Sequence, residues 1–370
     1  MNIKSRNGSY SAVAQALKQR LDSGELVAGQ KLPSERSLAE ELDVNRRTLR
    51  RALDLLQREG LLEPAGARGS RVALNPARTA PIGFCLDTSL PDSDQVIQVS
   101  NEPILIARGI MRRITSDTKN QTLVWCSQSE PRFWEDALVS EPYLGGLIIW
   151  PTLPAHPEMA ERLRKVRERM PLVLLDRRIH GLESDFVGFD DRAVGRLMAE
   201  HLLKLGHRRF AFFGWSVPET VHDRLQGAID AIEQARGELD PRWVFLSQED
   251  GAALSHFDDF LGREDKPTAI LCANDLTAIG LVMRLREHGY TVPDDFAVVG
   301  AGNSIDHILD AIGLTTVALP NEDVGWEAAD LLLSRLRGDR KDAPISERRL
   351  PVRLVIRRSC GLTSSRTPTP

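Results

Sequence analysis

The sequence predicts an α/β protein in two parts: a small helical unit at the amino end, and a larger body whose parallel sheet is covered on both faces. Three observations lead there. The chain has 370 residues, more than one typical domain holds. From Ile82 onward short apolar runs alternate with amphipathic helical stretches, the pattern of strands buried on both faces between helices. And the stretch Gly29 to Leu62, GQKLPSERSLAEELDVNRRTLRRALDLLQREGLL, reads as two helices and a tight turn, with more arginines on the second helix than a core element needs.

At the amino end, Val13, Ala16, Leu17 and Leu21 fall at helical spacing and predict a first helix over residues 10–23, with Tyr10 as a staple packed on it. Ser34, after Pro33, is a candidate N-cap whose hydroxyl accepts the amide of Ser37. Leu38, Ala39 and Leu42 then give the second helix its apolar stripe. Asp43-Val44-Asn45 interrupts it. Asn45 is a second candidate cap, for a helix whose inward face is Leu49, Ala52, Leu53 and Leu56. Arg46, Arg47, Arg50 and Arg51 crowd the first turns of that helix on the side away from the leucines. A recognition helix needs this arrangement, because its N-terminal turns enter the major groove and arginine pairs bidentately with guanine. The plainer alternative is a solvated charged face.

In the body, strands are predicted at 82–86, 122–126, 146–150, 172–175, 186–188, 210–214, 243–246, 269–272 and 297–300. Helices are predicted at 104–116, 158–169, 193–205, 225–235, 275–288 and 324–336. Two successive α/β halves are implied, with a break between Asp176 and Asp185. The segment Asn75 to Pro81, with two prolines and little to bury, reads as a linker.

Composition narrows the function. The chain is 42% hydrophobic and 27% charged, with a formal net charge of -4, which alone argues against a nucleic-acid binder. Residues 1–75, however, carry 13 Lys and Arg against 9 Asp and Glu, while the remainder carries 35 against 43. A basic head on an acidic body fits a protein that touches DNA with one end. No run approaches the roughly 18 apolar residues of a membrane span. The first residues lack the apolar core of a signal peptide, so a cytoplasmic location is expected. Cys85, Cys126, Cys272 and Cys360 lack metal-ligand spacing and read as reduced, buried hydrophobes. No Gly-x-Ser-x-Gly elbow, phosphate-binding loop, paired-cysteine motif or cofactor lysine is found, so neither enzyme activity, cofactor nor metal is expected.

Two resemblances sharpen these readings. The head, through Leu32-Pro33-Ser34-Glu35-Arg36, Leu38-Ala39, Val44-Asn45-Arg46-Arg47-Thr48-Leu49-Arg50 and Glu59-Gly60-Leu61-Leu62, resembles the winged helix-turn-helix of the GntR family of bacterial transcription factors. Position by position, the resemblance implies DNA contacts at Arg36, Asn45, Arg46, Arg47, Thr48 and Arg50. It also implies a wing at Gly66 to Val72 with Arg68 at its tip, Ala67 standing where a glycine is usual. The body, through Leu205-Gly206-His207-Arg208-Arg209, Arg224, Thr268 to Asp275, Ala278-Ile279-Gly280, Val292-Pro293-Asp294-Asp295, Leu314 to Val317 and Arg353 to Ser359, is similar to the LacI/GalR effector domain. That domain is two-lobed, doubly wound and periplasmic-binding-protein-like.

Together the resemblances imply four segments: head 1–75, linker 76–81, effector and dimerisation domain 82–362, tail 363–370. The expected protein is a homodimeric repressor that binds a palindromic double-stranded operator and answers to a small-molecule effector, a carbohydrate among the candidates. Arg224 and Asn274 match cleft positions on loops after the strands at 210 and 269. The alternatives are a structural ion pair for Arg224 and an N-cap for Asn274-Asp275. Trp150 and Trp215, just past strands, are candidates for stacking on a ring, or core residues. Gly302 stands where many relatives carry a ligand-binding aspartate; Asn303, one residue on, is the candidate substitute. The rivals are a solute-binding protein and an α/β enzyme with a DNA-binding head.

Overall fold

The computed structural model describes residues 9–22, 25–27, 29–58, 60–65, 69–73, 81–86, 101–117, 123–127, 144–151, 158–216, 218–247, 254–336 and 343–361. Residues 76–80 of the linker, the wing tip with Ala67 and Arg68, and the tail lie outside these.

The head comprises α1 (Tyr10–Asp22), α2 (Glu35–Glu41), α3 (Arg46–Arg58) and an antiparallel hairpin of β1 (Leu62–Pro64) and β2 (Ser70–Val72). Its core is made by the residues whose spacing predicted the helices: Val13, Leu17, Leu38, Ala39, Leu49, Ala52, Leu53 and Leu56, closed by Leu62 and Val72 from the hairpin. Tyr10 is not the expected staple. It opens α1 and is 46% exposed.

The body holds two six-stranded sheets. The first lobe comprises β3 (Ile82–Leu86), α4 (Glu102–Asp117), β4 (Leu123–Ser127), β5 (Gly146–Ile149), α5 (Met159–Arg169), β6 (Leu172–Leu175) and β7 (Asp185–Phe189). The second comprises α6 (Asp191–Lys204), β8 (Phe210–Trp215), α7 (Glu219–Gln234), a 3-10 turn at Pro241–Trp243, β9 (Val244–Ser247), α8 (Phe257–Gly262), β10 (Ala269–Cys272), α9 (Asp275–Glu287), β11 (Ala297–Gly302), α10 (Asp306–Ile312) and β12 (Thr315–Ala318). The chain then returns to the first lobe with α11 (Asn321–Leu336) and β13 (Glu347–Leu350), and ends in the second with β14 (Arg353–Val355).

The sheet orders are β13-β7-β6-β5-β3-β4 and β14-β12-β11-β10-β8-β9, parallel throughout except for β14 against β12. Side chains alternate across each strand, so neighbours serve opposite layers. Phe84 joins Ile106, Ile110 and Val324 on one face, while Cys85 joins Leu147, Leu163 and Val166 on the other. Phe210 and Phe212 pack toward α6 and α7, and Phe213 toward Phe245, Phe257 and Phe260.

Three differences from the sequence expectation bear on the site. The break between the halves lies at Asp190, not between Asp176 and Asp185, because β7 pairs with β6 and completes the first lobe before the chain leaves it. The chain crosses between lobes three times, at Asp190, at Leu319-Pro320 and at Pro351-Val352. Two of these crossings carry a proline, which fixes φ and stiffens the connection. Trp243 belongs to the 3-10 turn rather than to the strand, which starts at Val244.

In each lobe two helices meet at glycines. A Cβ on Gly195 of α6 would lie 1.7 Å from the Arg224 carbonyl of α7, and one on Gly227 would lie 2.0 Å from the Arg192 carbonyl. Gly109 of α4 and Gly325 of α11 repeat the arrangement against the carbonyls of Glu322 and Ile106.

Candidate nucleic-acid interface and effector cleft

In the head both predicted caps form. Ser34 Oγ accepts from Ser37 N at 3.2 Å and Asn45 Oδ1 accepts from Thr48 N at 2.8 Å, fixing the starts of α2 and α3. The caps hold the turn at Asp43, whose φ of 50° is in the left-handed region, and open a groove lined by Arg36, Ala39, Glu40, Asp43, Val44, Asn45 and Arg46. Arg46, Arg47 and Arg50 are exposed on α3, and Thr48 is half-buried beside them. Glu35 links them: its carboxylate holds Arg50 Nε at 2.8 Å and lies 3.8 Å from Arg46. Arg36 pairs with Glu40 at 3.1 Å. These pairs are more than half exposed on the arginine side, so each contributes little to stability and yields readily to a phosphate or base edge. Nothing in the sequence alone pointed to this role of Glu35, because the pair joins two helices 15 residues apart.

In each lobe the strand order reverses beside the first strand, between β3 and β5 and between β8 and β10, and ligands of doubly wound sheets bind outside such points. Trp150 follows β5 and Trp215 ends β8, both half-buried, and Asn274 follows β10. Trp150 Nε1 donates to Asp176 Oδ2 at 3.1 Å, and the Arg177 guanidinium lies 5.5 Å from its ring centre.

The other expected cleft residues take more structural positions than the sequence suggested. Arg224 is not on a loop: α7 starts at Glu219 behind Pro218, and Arg224 lies in its second turn, 7% exposed. It donates to Asp191 Oδ1 at 2.8 Å and to the Ala273 carbonyl at 2.7 Å. Asn274 caps α9, its Oδ1 accepting from Thr277 N at 2.8 Å. Asn303 has φ 58°, and its Oδ1 accepts from Arg357 Nη2 at 3.1 Å.

The carboxylate expected at position 302 is replaced from elsewhere. Asp275, first residue of α9, accepts from Thr316 Oγ1 at 2.6 Å and from Asn303 N at 2.5 Å. A Cβ on Gly302 would meet Asp275 Oδ2 at 3.0 Å and Glu102 Oε1 at 3.5 Å. Gly302, with φ 141°, leaves room for two carboxyl groups, one from each lobe.

Burial raises the Asp275 carboxyl to about 6, opposed by its hydrogen bond from Thr316. Burial likewise raises Asp191 to about 6 against the pull of Arg224. Glu102 is also raised, by burial first and by Asp176 and Asp275 after it, although the residue as a whole is only half-buried. An acid whose folded pKa is raised adds stability that is full below its unfolded value, near 4, and is lost as pH rises through the folded value. Asp275→Asn is therefore expected to gain stability relative to the parent between about pH 4 and pH 7. Urea midpoints across that range check it, and a constant difference between the two proteins would refute the assignment.

Glu102, Asp176 and Asp191 were missed by the sequence reading. Asp176 directly follows the apolar run 172–175, and Asp191 comes two residues after the β7 run; a charge closing a buried strand was the available signal. Among the described residues no group of three His, Cys, Asp or Glu is arranged to hold a metal ion. Also among them, no helix is long and apolar enough to cross a membrane.

The comparisons with known proteins fall on both regions. Residues 9–72 match the family model of bacterial regulatory proteins, gntR family, and residues 199–360 match that of a periplasmic binding protein-like domain. The arabinose metabolism transcriptional repressor of Geobacillus stearothermophilus is 30% identical over 340 residues, covering 88% of this chain and 91% of that protein. The HTH-type transcriptional repressor PurR of Mannheimia succiniciproducens is 32% identical over 194 residues, 51% of this chain and 57% of that repressor. Among solved structures, a LacI family transcriptional regulator from Enterococcus faecium with bound ribose superposes with a TM-score of 0.60. It has 26% identity and covers 75% of this chain and 98% of that one. A transcriptional regulator CelR-cellobiose complex has a TM-score of 0.64 at 20% identity, covering 89% of this chain and 100% of that one, a likeness of fold.

Proposed function

Since the chain belongs to the gntR family of bacterial regulatory proteins, in the branch that carries a periplasmic binding protein-like domain, we propose that it is a repressor whose α3 reads a palindromic operator and whose lobes close on a small carbohydrate-like effector. It is a transcription regulator and not an enzyme. The observation that carries the operator reading is the capped α3, with Arg46, Arg47 and Arg50 exposed on its first turns over a fully apolar inner face. The division into head 1–75, linker 76–81, effector domain 82–362 and tail 363–370 belongs to the same proposal, as do a cytoplasmic location and a homodimer. Two heads on adjacent half-sites raise affinity through effective concentration, which a single short helix lacks. The effector acts by favouring one lobe arrangement over another, which biases the spacing of the heads.

The effector reading is supported by the residues at both switch points, Trp150 and Trp215 among them, and by the ribose and cellobiose named in the two structural relatives. The test is a titration of the purified protein on DNA upstream of its own gene, with and without small carbohydrates. Arg46→Ala or Arg50→Ala is expected to weaken binding by about 1–3 kcal/mol while thermal unfolding stays unchanged. Parent-like affinity in both variants would remove α3 from the interface.

A further inference from the structure

The outer face of the wing carries two cations side by side. Residues 29–32 add a third strand to the hairpin: Leu32 N donates to the Ser70 carbonyl at 2.9 Å, and Val72 N donates to the Gln30 carbonyl at 2.8 Å. Lys31 and Arg71 are directly opposed in that antiparallel pairing, so their side chains leave the same face. It is the outer face, because Leu32, Ser70 and Val72, which alternate with them, are buried.

Both cations are exposed, and among the described residues neither forms an ion pair. Arg20, Arg36 and Arg50 of the same head each have a glutamate. Glu63 of β1 is the register partner of Arg71 on its other side, yet the two are not ion-paired. Like charges opposed on neighbouring strands repel, so the pair costs the free protein some stability, and an external anion held by both would reverse the sign.

The geometry also says where that anion lies. The stem of Lys31 runs along the wing: a Cβ on Gly69 would meet its Cε at 3.4 Å, so glycine leaves the room in which the stem lies. Gly69 closes the hairpin, its carbonyl accepting from Ala65 N at 2.8 Å, so the ammonium is carried from the level of Arg71 toward the tip. The wing is tied to the recognition helix, since Gln57 Nε2 of α3 donates to Ser70 Oγ at 2.9 Å. With the first turns of α3 in the major groove, a wing fixed to the same helix lies beside it along the duplex, within reach of the phosphates that border the groove.

We propose that Lys31 and Arg71 form a phosphate clamp on the outer face of the wing, holding the operator backbone next to the helix that reads its bases. The inference rests on α3 reading the operator. It adds a grip that is indifferent to sequence and that fixes the register of α3 on the duplex.

The test measures binding of the full-length protein, by fluorescence anisotropy at several salt concentrations, to a duplex from upstream of its own gene and to a random duplex of equal length. Lys31→Gln and Arg71→Gln are each expected to make the fall of log affinity with log salt shallower by about one per bound head, and Lys31→Arg to keep the parent's slope. Between about 200 and about 50 mM salt, the parent's lead over each glutamine variant then grows about threefold per head. Both duplexes lose by the same factor, so the preference for the upstream sequence stays unchanged. Without DNA, each glutamine variant melts with the parent or above it, since one of two opposed charges is gone. A parent-like salt slope in either glutamine variant, an altered sequence preference, or melting below the parent in both overturns the proposal. So does tighter binding, which is what breaking a contact between the wing and the acidic body would give. If Arg46→Ala loses the preference for the upstream duplex while Lys31→Gln leaves the slope alone, the clamp falls and the operator reading stands. A parent protein with no preference for that duplex removes the operator reading and the clamp with it.

Discussion

Arg224→Met is expected to lower the stability of the effector domain by about 3–5 kcal/mol near pH 8, the cost of leaving one member of a buried ion pair behind. Asp191 is 2% exposed, and Arg224 is its ion-pair partner at 2.8 Å. Methionine matches the apolar stem of arginine but supplies no donor to Asp191 or to the Ala273 carbonyl. The cost has a pH signature. Arg224 is the main influence lowering the Asp191 carboxyl, which burial already raises to about 6, so its removal drives the carboxyl higher still. Below about pH 5 Asp191 is protonated in both folded proteins and the deficit is smallest; as pH rises past 6 the parent ionises it at little cost and the variant does not. Urea unfolding at pH 5 and pH 8 checks this, and a deficit as large at pH 5 as at pH 8 would mean that the pair does not carry the effect.

The second large effect is expected at the glycine crossing of α6 and α7. In Gly195→Ala the new methyl would sit 1.7 Å from the Arg224 carbonyl, a backbone atom that cannot swing aside. The helices must separate, at the top of the roughly 1–3 kcal/mol range for overpacking or beyond it. Because α6 begins with Asp191 and α7 carries Arg224, the separation also strains the ion pair, so the two effects should be less than additive in the double variant. Gly262→Ala, whose methyl would meet nothing within 4 Å, is the control and should change the melting temperature little. A melting temperature for Gly195→Ala within a degree or two of the parent would mean that the helices are not held at this distance.

What the sequence made legible was local. Caps at Ser34 and Asn45, the inner face of α3 and most strands of the body depend on residues a few positions apart, and their chemistry is visible in a short window. The position of Arg224 was misjudged because α7 begins at Glu219 in a polar segment, six residues before the apolar spacing at Leu225 makes a helix visible. The vacancy at Gly302 was visible, but not that Asp275, 27 residues earlier, and Glu102 of the other lobe fill it, since only the folded topology brings them together. β13 and β14 were invisible as strands for a related reason. Their residues are half-exposed and charged, as edge strands are, and their place is set by β7 and β12.

The threefold passage of the chain between lobes governs how this protein can be made. Neither half of the body is an uninterrupted stretch: the first sheet needs β13 and the cover of α11, which leave the ribosome after almost all of the second. A fragment ending at Phe189 would present the apolar face that Val324, Ala328 and Leu332 otherwise shield, so truncation there should yield aggregate rather than a working half.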